Sequence, residues 1–581
     1  MHVAVRIWRV GAGALQGSQD SAAAAQYVEF LDVRPPRIAL VRVNWDNSRG
    51  TVTSPSDVEM LRTIRLAERM LPFPYFDARI LDFAVPSSAP FAKWVSGGKC
   101  NPAWDGLLAG LAFWRIFSAL FQLGDIVFGM VPMAAIPGSR SLLAQSGSKG
   151  VNSGCGHRED GVGGCFVDDG TTAGSIMSSS FAHELGHIYG CQHVWVPDDA
   201  NNDPNYPNYG GKKTSIGEVG IDTGGFVPAI FDPRTSNDIM SYEPNQWISP
   251  YIYRKILDAR DRHQSAPADP SRVRPVLFVE VRVRRTERGL TGVELKRAFR
   301  IEAPGFVPRD LEGATSPLSI DLLDSERRIV VTHHCFYVRS QPSGGCGCGG
   351  QSLVPLEREP YIDMFEVIEW PGEHVTALSF HRGEAPLATV EVGEPPRIEI
   401  EGPERRQEKL VVRVRVAHPR ETPAVAVLFS GDDGVTWQPV GFDPPGGELS
   451  VQAARLPGGE RCRFRAIAGA ELQSAVADTE PFGLAPSTRR LHVITPSDEC
   501  GIPPGPVALS ALIDTRGRGA VAPHEIRWTS SVQGEIGAGY DLTVELVEGE
   551  HALTVTVPDG IGGILSERAI IIVGGRPSRP R

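Results

Sequence analysis

The stretch Phe181–Trp195, "FAHELGHIYGCQHVW", sets three histidines and a glutamate within about a dozen residues. Residues four apart share one face of a helix, so His183 and His187 can aim two imidazoles at a single ion. At 100° per residue Met177, Phe181, Leu185 and Ile188 gather in an arc of about 80°, centred roughly 145° from the histidine pair. The apolar face of this helix therefore lies away from the candidate ligands. Gly190 follows His187 by three, where a helix ends most readily on a positive φ that glycine tolerates. The reversal returns His193 as a third ligand. Three neutral nitrogens leave a fourth tetrahedral position for water, the arrangement of a catalytic zinc. Glu184 then stands as general base toward a zinc-bound water whose pKa is lowered to about 7.

Chance is a poor explanation of this spacing. With 14 His and 63 Gly in 581 residues, H-E-x-x-H-x-x-G-x-x-H arises by composition alone roughly once in 10⁴ such chains. "HELGHIYGCQH" resembles the long zinc signature of the metzincin metallopeptidases, which carry a methionine turn farther along. "TSNDIMSY" at Thr235–Tyr242 is similar to that turn. The resemblance implies that Met240 lies beneath the metal. It also makes Tyr242 a candidate fourth, switchable ligand, as in the astacin and serralysin branches. It implies a twisted mixed sheet backed by helices, with an edge strand lining the cleft at "GGCFVDDG" (Gly163–Gly170). A peptide substrate would add to that edge as an extra strand. Later segments, "DPNYPNYGGKKTSIGEVGID" and "NQWISPYIYRKIL", are similar to bacterial metzincins. The resemblance covers fewer than half of the residues.

The rest of the chain is modular. A single core rarely grows beyond about 250–300 residues, so 581 residues imply several domains. The net charge of −11 opposes general attraction to nucleic acid or anionic membrane. The richest apolar run, "GLLAGLAFWRIFSALFQL" from Gly106, carries Arg115 at its centre and reads as a buried helix, not a transmembrane segment. The start of the chain has no recognisable signal peptide. Nine cysteines leave the redox compartment open; Cys155 and Cys165 flank a Gly-rich loop and could bridge.

From about residue 38 to 265 strands alternate with helices. "RIALVRVNW" reads as a strand, and "SPSDVEMLRTIRLAERML" as a helix opened by Ser54 with Asp57 three residues later. Met60, Leu61, Ile64, Ala67 and Leu71 supply its apolar face. After "HQSAPADPSR" the pattern changes to short alternating strands between Gly, Pro and Asp turns. The expected fold is multidomain: an α+β metzincin-like catalytic domain followed by all-β sandwich domains. The boundaries read as an N-terminal extension (1–37), the zinc peptidase domain (38–265) and three sandwiches. These are β-sandwich-like (273–393), fibronectin/Ig-like (394–484) and Ig-like/PKD-like (485–575).

Weaker signals remain. Asp199, Asn201 and Asp203 alternate like an EF-hand opening, but Pro204 and Gly210 break that pattern, so Ca²⁺ would need another type of site. "THHCFYV" and the later Cys346 and Cys348 hold enough His and Cys for a second metal, without the usual spacing. "SGDDGVTW" (Ser430–Trp437) resembles a single Asp-box turn. Cys191, inside the zinc motif, reads as a small buried side chain.

The expected function is zinc-dependent endopeptidase action on a protein or glycoprotein substrate. His183, His187 and His193 would bind Zn²⁺, with Glu184 as base. The alternative readings are a zinc-containing adhesin without proteolytic activity and a zinc hydrolase of non-peptide amides. Family resemblance places the expected site of action outside the cell or on its surface.

Overall fold

The computed structural model describes residues 2–8, 21–27, 33–46, 52–87, 102–120, 125–133, 154–157, 161–170, 172–196, 202–222, 229–261, 273–286, 289–304, 318–335, 361–372, 374–496, 500–516 and 518–574. Strands predominate over helices, and they form several separate sheets. Strands β1 (His2–Trp8) and β2 (Ser21–Tyr27) pair antiparallel ahead of the first large sheet.

Strand β3 (Arg37–Asp46) is central to that sheet. Ile38 and Leu40 point to one face and Ala39, Val41 and Val43 to the other, and none is more than 1% exposed. A strand covered on both faces needs such a continuous apolar run. β3 is short-paired at its end with β4 (Val52–Thr53) and runs parallel to β5 (Asp77–Ser87) and β6 (Ile126–Val131). β6 pairs parallel with β8 (Val162–Phe166), and β7 (Gly154–His157) lies antiparallel outside β8. The edge strand is therefore "GCGH", and the expectation that "GGCFVDDG" forms the edge is corrected. Gly163–Phe166 of that segment is fully buried, as befits a strand with neighbours on both sides.

Helices α1 (Asp57–Met70) and α3 (Thr172–Ile188) share a core with the Ile38/Leu40 face, while α2 (Pro102–Ala119) covers the Ala39/Val41 face. Helix α1 is opened by Ser56, not by Ser54 as the sequence reading has it. The Ser56 hydroxyl accepts from the Glu59 amide at 3.2 Å, and the Glu59 carboxylate accepts from the Ser56 amide at 2.7 Å. This reciprocal box satisfies two otherwise unpaired donors and frees Asp57 to pair with Arg42 and Arg455. Along α2 Leu107, Leu108, Leu111, Phe113 and Phe117 are buried, and Arg115 gives its Nε–H to the Asp125 carbonyl at 3.2 Å. Among the described residues no helix is long and apolar enough to cross a membrane.

Cys155 and Cys165 do not bridge. Adjacent register positions on β7 and β8 send them to opposite faces, Cys155 into the α2 core and Cys165 into the α1/α3 core. Cys165 is a free thiol, as are Cys191, Cys335 and Cys462, and Cys155 is disulfide-bonded to a cysteine other than these.

Beyond residue 272 the described strands form six sheets, two each within 273–393, 394–484 and 485–575, and no sheet mixes strands from two of these ranges. Each pair encloses a core of its own. The modules are not beads on a string. Phe113 and Phe117 of α2 meet Phe278 at 5.5 and 5.8 Å between ring centres and Phe442 at 4.6 and 4.7 Å. One helix of the first domain is thus the joint hydrophobic floor of two modules. Edge-to-face aromatic pairs of this kind add to plain burial. Phe117→Ala should cost about 3–5 kcal/mol. Denaturant unfolding followed by tryptophan fluorescence would register this as a lower midpoint, and an unchanged midpoint would mean that the contact contributes nothing.

Candidate metal centre

Helix α3 carries His183, Glu184 and His187 into the interior. Its end is set locally: Gly190 adopts φ +89°, the Gly190 amide donates to the His187 carbonyl at 2.8 Å, and the Cys191 amide donates to the Gly186 carbonyl at 2.9 Å. These two bonds make a Schellman motif. The reversed chain returns His193 to the histidine pair, with ring centres 5.3 Å from His183 and 4.9 Å from His187. One expectation changes here. The apolar residues Met177, Phe181, Leu185 and Ile188 are fully buried, but so is the opposite face, with His183 and Glu184 each 6% and His187 and His193 each 1% exposed. The described turns of α3 from Met177 onward lie between the sheet on one side and the segment around Met240 on the other, so no solvent face remains there.

Second contacts fix the ring orientations. His183 Nδ1–H donates to the Ile239 carbonyl at 2.7 Å, and His187 Nδ1–H donates to the Cys191 carbonyl at 2.8 Å. A carbonyl can only accept, so both Nδ1 atoms carry the proton and both Nε2 atoms present lone pairs. Those two Nε2 atoms are 3.0 Å apart. Ligand atoms of all three histidines lie within 4.8 Å of one another, the only cluster of three or more His, Cys, Asp or Glu ligand atoms among the described residues. Burial, then the neighbouring histidines, lowers the His183 pKa to about 3 and holds His187 well below the usual imidazole range. The rings are neutral, as ligands must be.

Tyr242 joins this cluster. Its hydroxyl lies 2.9 Å from His193 Nε2, and its ring stacks on His183 at 5.5 Å. Met240 is fully buried, and a Cβ placed on Gly186 would come within 2.5 Å of its sulfur. The methionine therefore packs against the helix at a position where no side chain fits.

Three contributors were not legible in the motif. Asp238 is buried and accepts the Met240 amide at 2.8 Å and the Ser249 amide at 2.9 Å, tying the methionine turn to helix α4 (Pro250–Asp258). Burial raises its pKa to about 6 against those hydrogen bonds. Its signal was an Asp two residues before a turn methionine, a position whose side chain commonly bonds the backbone two residues on. The other two are Gly154 and Gly156 on edge strand β7. A Cβ on Gly154 would meet Glu184 Cγ at 2.8 Å, and one on Gly156 would meet the Glu184 carbonyl oxygen at 2.4 Å. The Gly156 amide donates to the Glu184 carboxylate. Glycine within a strand marks such a close approach.

Glu184 has one carboxylate oxygen, Oε2, buried without a hydrogen-bond partner among the described residues. Desolvation raises its pKa to about 8, with the Gly156 amide opposing. Of the weaker candidates, Asp199 and Asn201 lie outside the described residues, and the Asp203 carboxylate is engaged by Lys255 at 2.6 Å and Tyr251 at 3.1 Å. His333 faces Glu366 at 3.0 Å, with Cys335 buried nearby and Cys346 and Cys348 outside the described residues. Ser430–Trp437 forms the turn between two strands, closed by Asp432 accepting the Thr436 amide at 2.8 Å.

No protein-family model matches the sequence, and no curated protein matches it. Three of the solved structures that match do so over about half of this chain. Three N-terminal domains of the Highly Immunogenic Outer Capsid protein of bacteriophage RB49 match at 10% identity, over 52% of this chain and 98% of that one, with a TM-score of 0.13. Trypsin-activated alpha-2-macroglobulin from Escherichia coli matches at 8% identity, over 54% and 24%, with a TM-score of 0.12. A tetra-tandem repeat from the extending region of a large adhesion protein matches at 11% identity, over 53% and 92%, with a TM-score of 0.15. At such scores none assigns a fold or an activity to this chain.

Two predictions follow from the geometry. In chelator-treated protein a carboxyl whose folded pKa is raised from about 4.5 to about 8 contributes stability that is lost as pH rises through that window. Glu184→Gln should therefore gain stability over the unsubstituted chain as pH goes from about 4.5 to 8, read from thermal unfolding at each pH; a constant difference would show that Glu184 does not titrate there. Gly156→Ala would press its Cβ on the Glu184 backbone carbonyl and shift the helix that carries His183 and His187, so metal content and any Glu184-dependent activity should fall together.

Proposed function

We propose that the chain is a zinc-dependent metalloendopeptidase. One observation carries the reading: two buried, neutral imidazoles face each other Nε2 to Nε2 at 3.0 Å with both Nδ1 protons already given to carbonyls. Two lone pairs in contact in a dry interior repel, and a cation between them removes the conflict. The third imidazole and the Tyr242 hydroxyl converge on the same point. An all-nitrogen, three-histidine set suits zinc and keeps a position open for a reactant. The residues therefore fit the ion.

Bound zinc would supply Lewis acidity, making a water acidic near neutrality and polarising a substrate carbonyl. The protein's own residues do the rest. Glu184 stands one residue from a ligand, buried, with Oε2 unengaged; it takes a proton from the attacking water and returns it to the departing amine. The Gly156 amide holds the other end of its carboxylate function in place. Ile239 and Cys191 carbonyls keep the rings turned toward the ion, as outer partners of metal-bound imidazoles do. Tyr242, at the ligand atom of His193, is placed to hold the metal at rest or to donate to an oxyanion. Strand β7 ends the sheet beside Glu184, which suits an extended peptide lying along it.

The test is direct. The purified chain should carry about one zinc, cleave a mixed peptide library, and lose cleavage to a chelator. Glu184→Ala should retain the zinc and lose at least about 10²-fold in kcat/KM. Undiminished cleavage by that variant would refute the role of Glu184. Zinc retained with no cleavage by the unsubstituted chain would instead favour a zinc-containing adhesin.

A further inference from the structure

Helix α1 turns Arg62, Arg65 and Arg69, spaced three and four apart, toward the module of residues 485–575. Two of the three are neutralised. Arg65 pairs with Glu68 and Asp541 and lies 4.4 Å over the Tyr540 ring; Arg69 meets Asp222 at 3.2 Å and Asp541 at 3.7 Å. Arg62 has no carboxylate partner among the described residues. It lines a cavity of about 550 Å³ between α1 and the strands Arg490–Thr495 and Ile564–Val573. His492, Glu567 and Arg568 also line it, with Val58 and Leu491 among its apolar walls.

The polar groups around this cavity are unbalanced. His492 Nε2 is buried without a hydrogen-bond partner among the described residues. Behind the wall, Asp57 is met by Arg42, Arg455, Arg490 and Arg516, and Arg516 also holds Asp514. With Arg62 and Arg568 against Glu567, arginines exceed carboxylates at this junction, in a chain whose net charge is −11. An excess of fixed cations around an open cleft with both polar and apolar walls suits an anion that carries an apolar body.

We infer that this cavity is a binding site for a small organic anion, its carboxylate or phosphoryl oxygens held by Arg62 and Arg568 and its apolar part against Val58 and Leu491. Arginine suits either group because its planar donors match two oxygens at once. The Arg62 guanidinium lies against Gly170, where an added Cβ would meet it at 2.6 Å. Gly170 belongs to the loop that leads into α3. An occupant would thus join α1, the last module and the approach to the histidine helix. This inference does not depend on the metal chemistry.

The experiment uses the full chain and two probes, octanoate and inorganic phosphate, in isothermal titration. At least one probe should bind saturably at millimolar concentration or below. Arg62→Gln and Arg568→Gln should each weaken that binding by about tenfold, with the unfolding temperature in the absence of probe unchanged, because neither arginine has an ion-pair partner among the described residues. Binding of octanoate alone assigns an acyl carboxylate, and binding of phosphate alone a phosphoryl group. No saturable binding of either probe, or binding that both substitutions leave intact, overturns the inference.

Discussion

The contact between His183 Nε2 and His187 Nε2, 3.0 Å apart in the interior, is the constraint around which the first domain is arranged. Lone pairs meet there only because each ring is turned by its far nitrogen. The Ile239 carbonyl that turns His183 comes from the methionine segment, and the Cys191 carbonyl that turns His187 comes from the chain just past Gly190. The helix ending and the methionine turn are thus parts of one device. Asp238 holds the second part by accepting two amides. Burial keeps the rings neutral, and neutrality keeps the lone pairs available.

Glu184 answers to a different element. Its surroundings come from β7, whose alternate glycines let the helix approach more closely than any side chain would permit. The same strand that ends the sheet therefore also sets the carboxylate. Desolvation raises its pKa, and a nearby cation would act in the opposite direction. The sheet edge thus sets the approach of the helix that carries base and ligands alike, and the turn beyond it sets the orientation of the rings.

The tandem sandwiches are more than trailing spacers. Phe113 and Phe117 pack one helix of the first domain against Phe278 of one module and Phe442 of the next, in a cluster separate from the modules' own cores, while Arg65 and Asp57 tie α1 to the modules by charge. Helix α1, packed beside α3 in one core, is the element common to the histidine site and the final module.

How much of this was readable from residues alone follows from what is local. The spacing of His183, Glu184 and His187, the helix ending at Gly190, the strand Arg37–Asp46 and the alternating strands beyond residue 272 all depend on neighbours a few positions away, and periodicity reports them. Ser56 in place of Ser54 as helix opener is a near miss of the same local kind, decided by whether a glutamate or an aspartate could reach back. The edge strand was misplaced because Gly-rich segments carry no side-chain period, and only pairing partners tell an inner strand from an outer one. Cys155 and Cys165 were close in sequence yet face opposite sides of the sheet. By itself the sequence determined which residues can bind a metal and where helices and strands form, since those follow from spacing and backbone preference. Only the tertiary structure decided which strand stands beside Glu184, that the Ile239 carbonyl turns His183 and which modules rest on α2, because these contacts join residues tens to hundreds of positions apart and have no local signature.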